Sequence, residues 1–202
     1  MTANIVNTAD DRDLLLAPSD RLAAENERLR QALAEAERKI ADLEARADID
    51  PLLDILNRRG FERELARSLA YVQRYGTNAA LMFIDLDGFK AVNDQHGHAA
   101  GDTLLKAVAA GLRANVRASD VVARLGGDEF GVLMWNVDSA RAAVKVEDLE
   151  AMIAAVRAAH GEAALSVGAS AGAVALAPDT NAAMLIDAAD RAMYARKKAR
   201  RG

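Results

Sequence analysis

The chain has 202 residues, which is enough for one well-packed domain with an additional segment or for two small domains. Its hydrophobic share of 51% and charged share of 28% are those of an ordinary soluble protein, and its net charge of −4 gives no positive field for nonspecific nucleic-acid binding. The absence of cysteine excludes disulfides and thiolate metal sites, and it is typical of a reducing compartment.

The N-terminal residues 1–11 are polar and acidic, and we expect them to form a disordered tail. They lack the basic start and apolar core of a signal peptide. No apolar run approaches the length that crosses a bilayer. We therefore expect a cytoplasmic protein with no nucleic-acid partner and no membrane contact.

Residues 12–48 predict a long helix that pairs with a second copy of the chain. Their apolar residues follow a heptad pattern, which is typical of a coiled coil. Asn26 falls at an a position, where a single Asn selects two strands in parallel register, so we predict a parallel homodimer. The alternative is one amphipathic helix that folds onto its own domain. The d positions are Leu15, Leu22, Leu29, Ala36 and Leu43, and the a positions are Asn26, Leu33, Ile40 and Ala47.

Residues 49–202 predict a single globular domain after a helix break at Asp48–Pro51. The order of elements predicts an α+β sandwich with a mostly antiparallel sheet flanked by helices. The patterns place helices at about 57–75, 100–116, 138–160 and 181–201, and strands at about 79–85, 121–125, 130–135 and 163–176.

Acidic residues lie at two strand ends. Asp85 and Asp87 follow an apolar run that predicts a buried strand, and oxygen ligands on a rigid frame suit Mg²⁺. Such acids are also common in solvated turns and helix caps. At the predicted hairpin tip, Asp128 and Glu129 follow two glycines, and glycine lets a backbone approach a ligand closely. Metal ligands beside a phosphate-accommodating turn, or an ordinary hairpin turn, both fit this tip.

The C-terminal helix ends in the basic sequence Arg196–Arg201. Basic residues at the end of a helix are favoured by the helix dipole, but five charges in six residues exceed what capping needs. A triphosphate is the natural partner for the excess charge. Carboxylates for metal, glycines for phosphate and cations for a polyphosphate together indicate nucleotidyl chemistry.

The segment Arg124–Phe130 resembles the signature of GGDEF-domain diguanylate cyclases, and the resemblance extends over residues 50–201. It implies a nucleotidyl-cyclase-like fold with a ferredoxin-like core, preceded in this chain by the coiled-coil helix. The further motifs that carry it are Asn57-Arg58-Arg59, Asp85–Lys90, Asn93-Asp94 with Gly97-His98 and Gly101-Asp102, Ser166-Val167-Gly168, and Asp190 with Ala192-Met193-Tyr194.

The resemblance implies that each domain binds one GTP and that two facing domains condense two GTP into cyclic di-GMP, releasing two pyrophosphates. It makes Asp85, Asp128 and the Leu86 carbonyl the ligands of two Mg²⁺ or Mn²⁺ ions. The catalytic signature implied is Gly126, Gly127, Asp128 and Glu129, with Glu129 a ligand or a base.

Substrate contacts are implied in the same way. Asn93 and Asp102 match the positions that read guanine, although Asp102 could instead be a helix N-cap. The triphosphate is assigned to Phe89, Lys90, Lys197 and Arg201. The resemblance makes His98 a structural residue and not a metal ligand.

Arg117 and Asp120 match the family's inhibitory site for the product, by their spacing from Gly126. The alternative is a surface ion pair that contributes little. A second arginine that relatives often add is missing from the following helix, so two outcomes are open: weaker product inhibition, or recruitment of Arg113 or Lys145 in its place.

The junction between coil and domain also departs from the family pattern, because Leu53-Asp54 stands where Thr-Gly is usual. Two other functions remain open from the sequence. One is a catalytically inactive receptor that binds cyclic di-GMP and signals through the coil. The other is a cyclase with a different base preference, against which Asn93 and Asp102 argue.

Overall fold

The structure, a computed structural model, describes residues 18–201. The predicted tail, residues 1–11, and the first predicted coil residues, 12–17, lie outside the described residues. The chain divides into two compact units between Arg46 and Ala47. No described helix combines the length and apolar character of a membrane span.

The described residues form six helices and six strands. In chain order they are α1 (Pro18–Ala47), α2 (Arg58–Tyr75), β1 (Ala79–Asp87), α3 (Phe89–His96), α4 (His98–Ala114), β2 (Val121–Arg124), β3 (Glu129–Trp135), α5 (Ser139–Ala155), β4 (Ala158–His160), β5 (Ala163–Leu165), β6 (Gly168–Ala175) and α6 (Ala182–Arg201).

Helix α1 starts at Pro18, a residue that suits the first turn because its missing N–H needs no partner there. Four leucine side chains of this helix are between 59% and 67% exposed in the single chain. Asn26 donates from Nδ2 to the Leu22 carbonyl of its own helix at 3.0 Å. Pairing of this helix with a second copy stays a prediction. The exposed residues are Leu22, Leu29, Leu33 and Leu43.

The main sheet has four strands in the order β2-β3-β1-β6, and every neighbouring pair is antiparallel. Strand β1 lies in the middle, and residues 79–84 are all buried because they face helices on both sides. One core lies between the sheet and helices α4 and α5, and the other between the sheet and helices α2 and α6. The predicted α+β class with an antiparallel sheet is confirmed.

Two glycines let the helices of one layer contact the sheet backbone. A Cβ at Gly172 would lie 2.1 Å from the backbone nitrogen of Met193 in α6, and one at Gly131 would lie 2.7 Å from the Phe61 ring in α2. Distances below 3 Å are overlaps, so both positions require glycine. This contact brings α6 against the strands that carry the candidate site.

The junction segment, residues 48–57, is fixed to the sheet. The Asp50 carboxylate accepts from the backbone N–H groups of Leu52 and Leu53, each at 2.9 Å, and its second oxygen lies 3.3 Å from Arg124. The Arg124 backbone N–H donates to the Leu56 carbonyl at 2.7 Å. The junction therefore contacts the strand that leads into the signature.

The structure differs from the sequence prediction in three places. Helix α3, flanked by Gly88 and Gly97, was not predicted because eight residues contain too little periodicity to recognise. Helix α5 ends at Ala155, not near residue 160, since residues 158–160 pair with β5 around Gly161 at φ 59°. The predicted strand 163–176 is divided at residues 166–167 into β5 and β6.

Asp54 occupies the position at which the family pattern has glycine, and its φ of 53° lies in the left-handed region. Replacing Asp54 with Gly should stabilise the fold by about 0.5 kcal/mol, because relief of the left-handed strain exceeds the entropy that glycine adds to the unfolded chain. Thermal unfolding should show a rise in Tm of about 1–2 °C.

The control is Gly76→Ala at the end of α2, where φ is 66° and a Cβ would meet no atom within 4 Å. Strain alone should make this variant less stable by about 1 kcal/mol. A Tm that falls in Asp54→Gly would contradict the assignment of strain to Asp54.

Candidate active site

Strand register brings the two predicted acidic sites together. Asp85, near the end of β1, lies directly opposite Glu129 at the start of β3. One residue further, the Leu86 N–H donates to the Asp128 carbonyl at 3.1 Å. The signature turn between β2 and β3 therefore lies against the end of β1, because β3 is the direct neighbour of β1 in the sheet.

The two carboxylates influence each other. Burial raises the pKa of Asp128, and the negative charge of Asp85 raises it further, while Lys197 and Arg124 act in the opposite direction. Lys197 of α6 donates from Nζ to Asp85 Oδ1, and the two side chains are only 20% and 13% exposed. The site is a pair of carboxylates with a lysine as counter-charge.

These residues fit a hard divalent cation. Asp85 and Asp128 offer carboxylate oxygens, and burial followed by the negative charge of Asp85 raises the pKa of Asp128, so a cation would stabilise the charged form of the pair. Within residues 18–201 no three acids, histidines or cysteines form a metal-binding cluster. A cation held here would take further ligands from water and from phosphate oxygens, as Mg²⁺ commonly does.

Arg124 fixes the shape of the signature turn. Its guanidinium donates to the Gly126 carbonyl at 3.0 Å and to the Gly127 carbonyl at 2.8 Å, and it also pairs with Asp50. Neither glycine has a positive φ. A Cβ at Gly127 would meet no atom within 4 Å, so packing does not explain this glycine, and open space for a ligand does.

Arg58 holds the other side of the turn. It donates from Nε to the Leu125 carbonyl at 2.7 Å and lies 3.3 Å from Glu129 Oε2. A Cβ at Gly126 would lie 2.8 Å from the same Glu129 oxygen. Glu129 therefore folds back over the turn towards α2 in this structure.

The basic end of α6 divides into structural and site residues. Buried Glu150 of α5 accepts from Arg196 at 2.8 Å and from Arg200 at 2.7 Å, and it also accepts from the Ala171 N–H at 2.8 Å. The hydrogen bond with Glu150 raises the pKa of Arg196. Two of the five charges that the sequence suggested for a triphosphate thus attach α6 to α5 and β6, and Lys197 between them faces Asp85.

The two predicted guanine contacts lie on neighbouring helices. The Asn93 side chain of α3 packs against Gly101 of α4, where a Cβ would lie 1.9 Å from Asn93 Oδ1, and that oxygen is buried without a donor. Asp102 is exposed and lies within the second turn of α4, whose N-cap is Gly97. The alternative of Asp102 as an N-cap is therefore wrong.

The remaining triphosphate residues lie near the end of β1. Helix α3 begins at Phe89, which is buried, and Lys90, which is exposed. Helix N-termini favour anions because their first N–H groups have no partner within the helix. Asp87 accepts from the Ser170 hydroxyl at 2.8 Å and does not join the acidic pair. The Arg201 side chain lies outside the described side chains.

The predicted inhibitory residues line a cavity of about 580 Å³. Both carboxylate oxygens of Asp120 accept backbone N–H groups, from Arg117 and Trp135, each at 3.0 Å. The Arg117 guanidinium makes no ion pair with described residues, so the alternative of a surface ion pair is not observed. Arg113 lines the same cavity, whereas Lys145 does not.

Sequence reasoning missed the roles of Arg58, Arg124, Asp50 and Glu150. Arg58 and Arg124 stand inside motifs that carry the family resemblance, and Asp50 is the first residue of the span that it covers, so their positions were marked but their contacts were not. Glu150 follows Val146 by one helical turn on the buried face of α5. An acidic residue on an otherwise apolar helix face was the available signal, because a buried carboxylate needs a positively charged partner.

Removal of the Glu150 carboxylate should destabilise the fold strongly, because it leaves two partly buried arginines unpaired. Glu150→Ala should lower the free energy of unfolding by about 3 kcal/mol, the lower end for a broken buried ion pair. Glu147 is the matched control, since it is 71% exposed and lies 3.9 Å from Arg196. Urea unfolding should show a change within about 0.5 kcal/mol for Glu147→Ala. Equal losses in the two variants would refute the role given to Glu150.

Comparison with known proteins supports the family resemblance that the sequence motifs indicate. The family described as "Diguanylate cyclase, GGDEF domain" matches residues 47–202. Diguanylate cyclase TpbB of Pseudomonas aeruginosa is 42% identical over 170 residues, which cover 80% of this chain and 38% of that protein. The chain spans well under half the length of the curated relatives it matches first.

Solved structures of the same family have a similar fold. A sensory box/GGDEF family protein from Caulobacter crescentus has a TM-score of 0.68 at 37% identity, over 75% of this chain and 99% of that chain. The coiled coil and GGDEF domain of DgcB from Caulobacter crescentus, solved in complex with c-di-GMP, has a TM-score of 0.73 at 27% identity, over 87% and 95%. With its signature turn beside the acidic end of β1, this chain belongs to the GGDEF-domain family.

Proposed function

We propose that the chain is a diguanylate cyclase that condenses two GTP into cyclic di-GMP and releases two pyrophosphates. The observation that carries the proposal is the pair Asp85 and Asp128, held together at the end of the sheet with Lys197 beside them. Family membership supports the same chemistry. GTP as the substrate makes the cytoplasm the expected location.

In this proposal Asp85, Asp128 and the Leu86 carbonyl hold divalent cations, two of Mg²⁺ or Mn²⁺ in each site. Bound cations neutralise the triphosphate and lower the barrier to in-line attack on the α-phosphorus. Asp128 also lies where it can help to activate the attacking 3′-hydroxyl. Glu129 contacts Arg58 and is kept as a catalytic residue of the signature, either ligand or base.

Residues of the helices α3, α4 and α6 bind the nucleotide. The exposed carboxylate of Asp102 and the unpaired Asn93 oxygen suit the N1–H and 2-amino donors of guanine, which adenine lacks. The first turn of α3, at Phe89 and Lys90, favours phosphate. Lys197 and Arg201 supply positive charge for the β- and γ-phosphates.

The reaction needs two domains, because each holds one GTP. The exposed leucines of α1 and Asn26 at an a position support a parallel coiled coil, which would raise the effective concentration of the second domain. We therefore propose three parts: the tail at 1–11, the dimerisation helix at 12–48 and the cyclase domain at 49–202.

Product inhibition is proposed at Arg117 and Asp120. The unpaired Arg117 guanidinium and the nearby Arg113 face one cavity, and arginine binds phosphate and guanine edges in a bidentate manner. Arg113 is therefore our choice for the second arginine. A catalytically inactive receptor for cyclic di-GMP is the alternative function, and the intact acidic pair with its signature turn argues against it.

Incubation of the purified chain with Mg²⁺ and GTP should give cyclic di-GMP and pyrophosphate, identified by mass spectrometry. ATP in place of GTP should give no cyclic dinucleotide, because adenine lacks the N1–H and 2-amino donors from which Asp102 would accept in the proposed complex. Asp102→Ala should slow the reaction with GTP by roughly tenfold or more through a raised KM. Binding of cyclic di-GMP without turnover would favour the receptor, and a dinucleotide containing adenine would favour the altered base preference.

Added cyclic di-GMP should lower the initial rate of the native chain. Arg117→Ala should remove most of this inhibition and leave the uninhibited rate unchanged, since Arg117 lies outside the acidic site. Lys145→Ala is the control, because Lys145 does not line the cavity and its loss should leave inhibition intact. Equal inhibition of the native and Arg117→Ala chains would exclude this site.

A further inference from the structure

We propose that Lys197 occupies the cation position at Asp85 in the substrate-free chain and moves to the triphosphate when cation and nucleotide bind together. The inference rests on the proposed function, because it takes Asp85 as a cation ligand. It adds that the lysine opposes the binding of a cation that arrives without nucleotide.

The geometry shows the competition directly. The Lys197 ammonium donates to Asp85 Oδ1, and both side chains are mostly buried, at 20% and 13% exposure. A carboxylate oxygen that accepts a charged hydrogen bond has lost much of its capacity for a second cation. A divalent ion that binds the same oxygen of Asp85 must therefore displace the ammonium group or share a crowded position with it.

The helix that carries Lys197 stays in place while its side chain moves. Glu150 binds Arg196 before the lysine and Arg200 after it, so the backbone of α6 is attached to α5 and β6 on both sides. The lysine stem has four rotatable bonds and a compact charge with three donors. The head group can change partner without any change in the fold.

A displaced ammonium needs a new anion. Without nucleotide, displacement would leave a partly buried charge unpaired, which is costly. With a triphosphate, two oxygens that ligate one Mg²⁺ lie about 3 Å apart, so a phosphate oxygen beside Asp85 falls within reach of the same lysine. The cation and the triphosphate therefore bind with positive coupling, and the coupling passes through Lys197.

The test measures Mn²⁺ binding to the full chain without nucleotide, by electron paramagnetic resonance of free Mn²⁺. Lys197→Met keeps the apolar stem and removes the charge, and it should bind Mn²⁺ alone roughly tenfold more tightly than the native chain. The same variant should bind Mn²⁺ with guanosine 5′-[α,β-methylene]triphosphate roughly tenfold more weakly. These changes have opposite signs, which simple loss of structure cannot produce.

Two controls define the site and the charge effect. Asp85→Asn should abolish the Mn²⁺ site, and Lys198→Met, which removes an exposed charge from the next position of α6, should leave both affinities unchanged. Lys197→Gln serves the same comparison if Lys197→Met does not fold.

An unchanged or weaker affinity for Mn²⁺ alone in the Lys197 variant would overturn the exchange, and so would an equal gain in Lys198→Met. Failure of the native chain to form cyclic di-GMP would contradict the proposed function instead. The two failures are therefore separate measurements on the same protein.

Discussion

Two carboxylates held side by side at the end of the central sheet are the constraint on which the rest of the domain depends. The register of β1 and β3 brings the Asp128 turn against Asp85, and burial, together with repulsion by Asp85, raises the pKa of Asp128. Two like charges do not stabilise a fold by themselves, so the pair supports the proposed divalent cation. In the structure, the positive charges of Lys197 and Arg124 partly offset the negative charge of the pair.

The surrounding ion pairs distinguish the charged side chains that hold the fold together from those that face the acidic site. Arg124 holds the turn by its glycine carbonyls and connects it to Asp50 in the junction segment. Glu150 takes two arginines of α6 and leaves the lysine between them for the acidic site. In the sequence the basic end of α6 looks like one phosphate-binding patch. In the structure two of its arginines face α5 and Lys197 faces Asp85.

The sequence was sufficient where one local pattern decides the structure. Residues 79–84 form an apolar run because helices cover both faces of β1, and the signature at Gly126–Glu129 was predicted as a hairpin tip, on either side of which β2 and β3 pair. The sequence was insufficient where residues far apart in the chain decide the local structure. The alanine-rich end of α5 favours helix, yet residues 158–160 pair with β5. The Asp50–Arg124 pair joins residues 74 positions apart, a contact that no local pattern reveals.

In the proposed reaction, one turnover needs the carboxylate pairs of two chains, each with its own GTP. Co-refolding native chains with Asp128→Asn chains in varied ratios gives a statistical mixture of dimers. If both pairs are needed, activity should fall with the square of the native fraction, to about one quarter at equal amounts. A linear fall, to about one half, would show that a single intact site completes the reaction and would contradict the account.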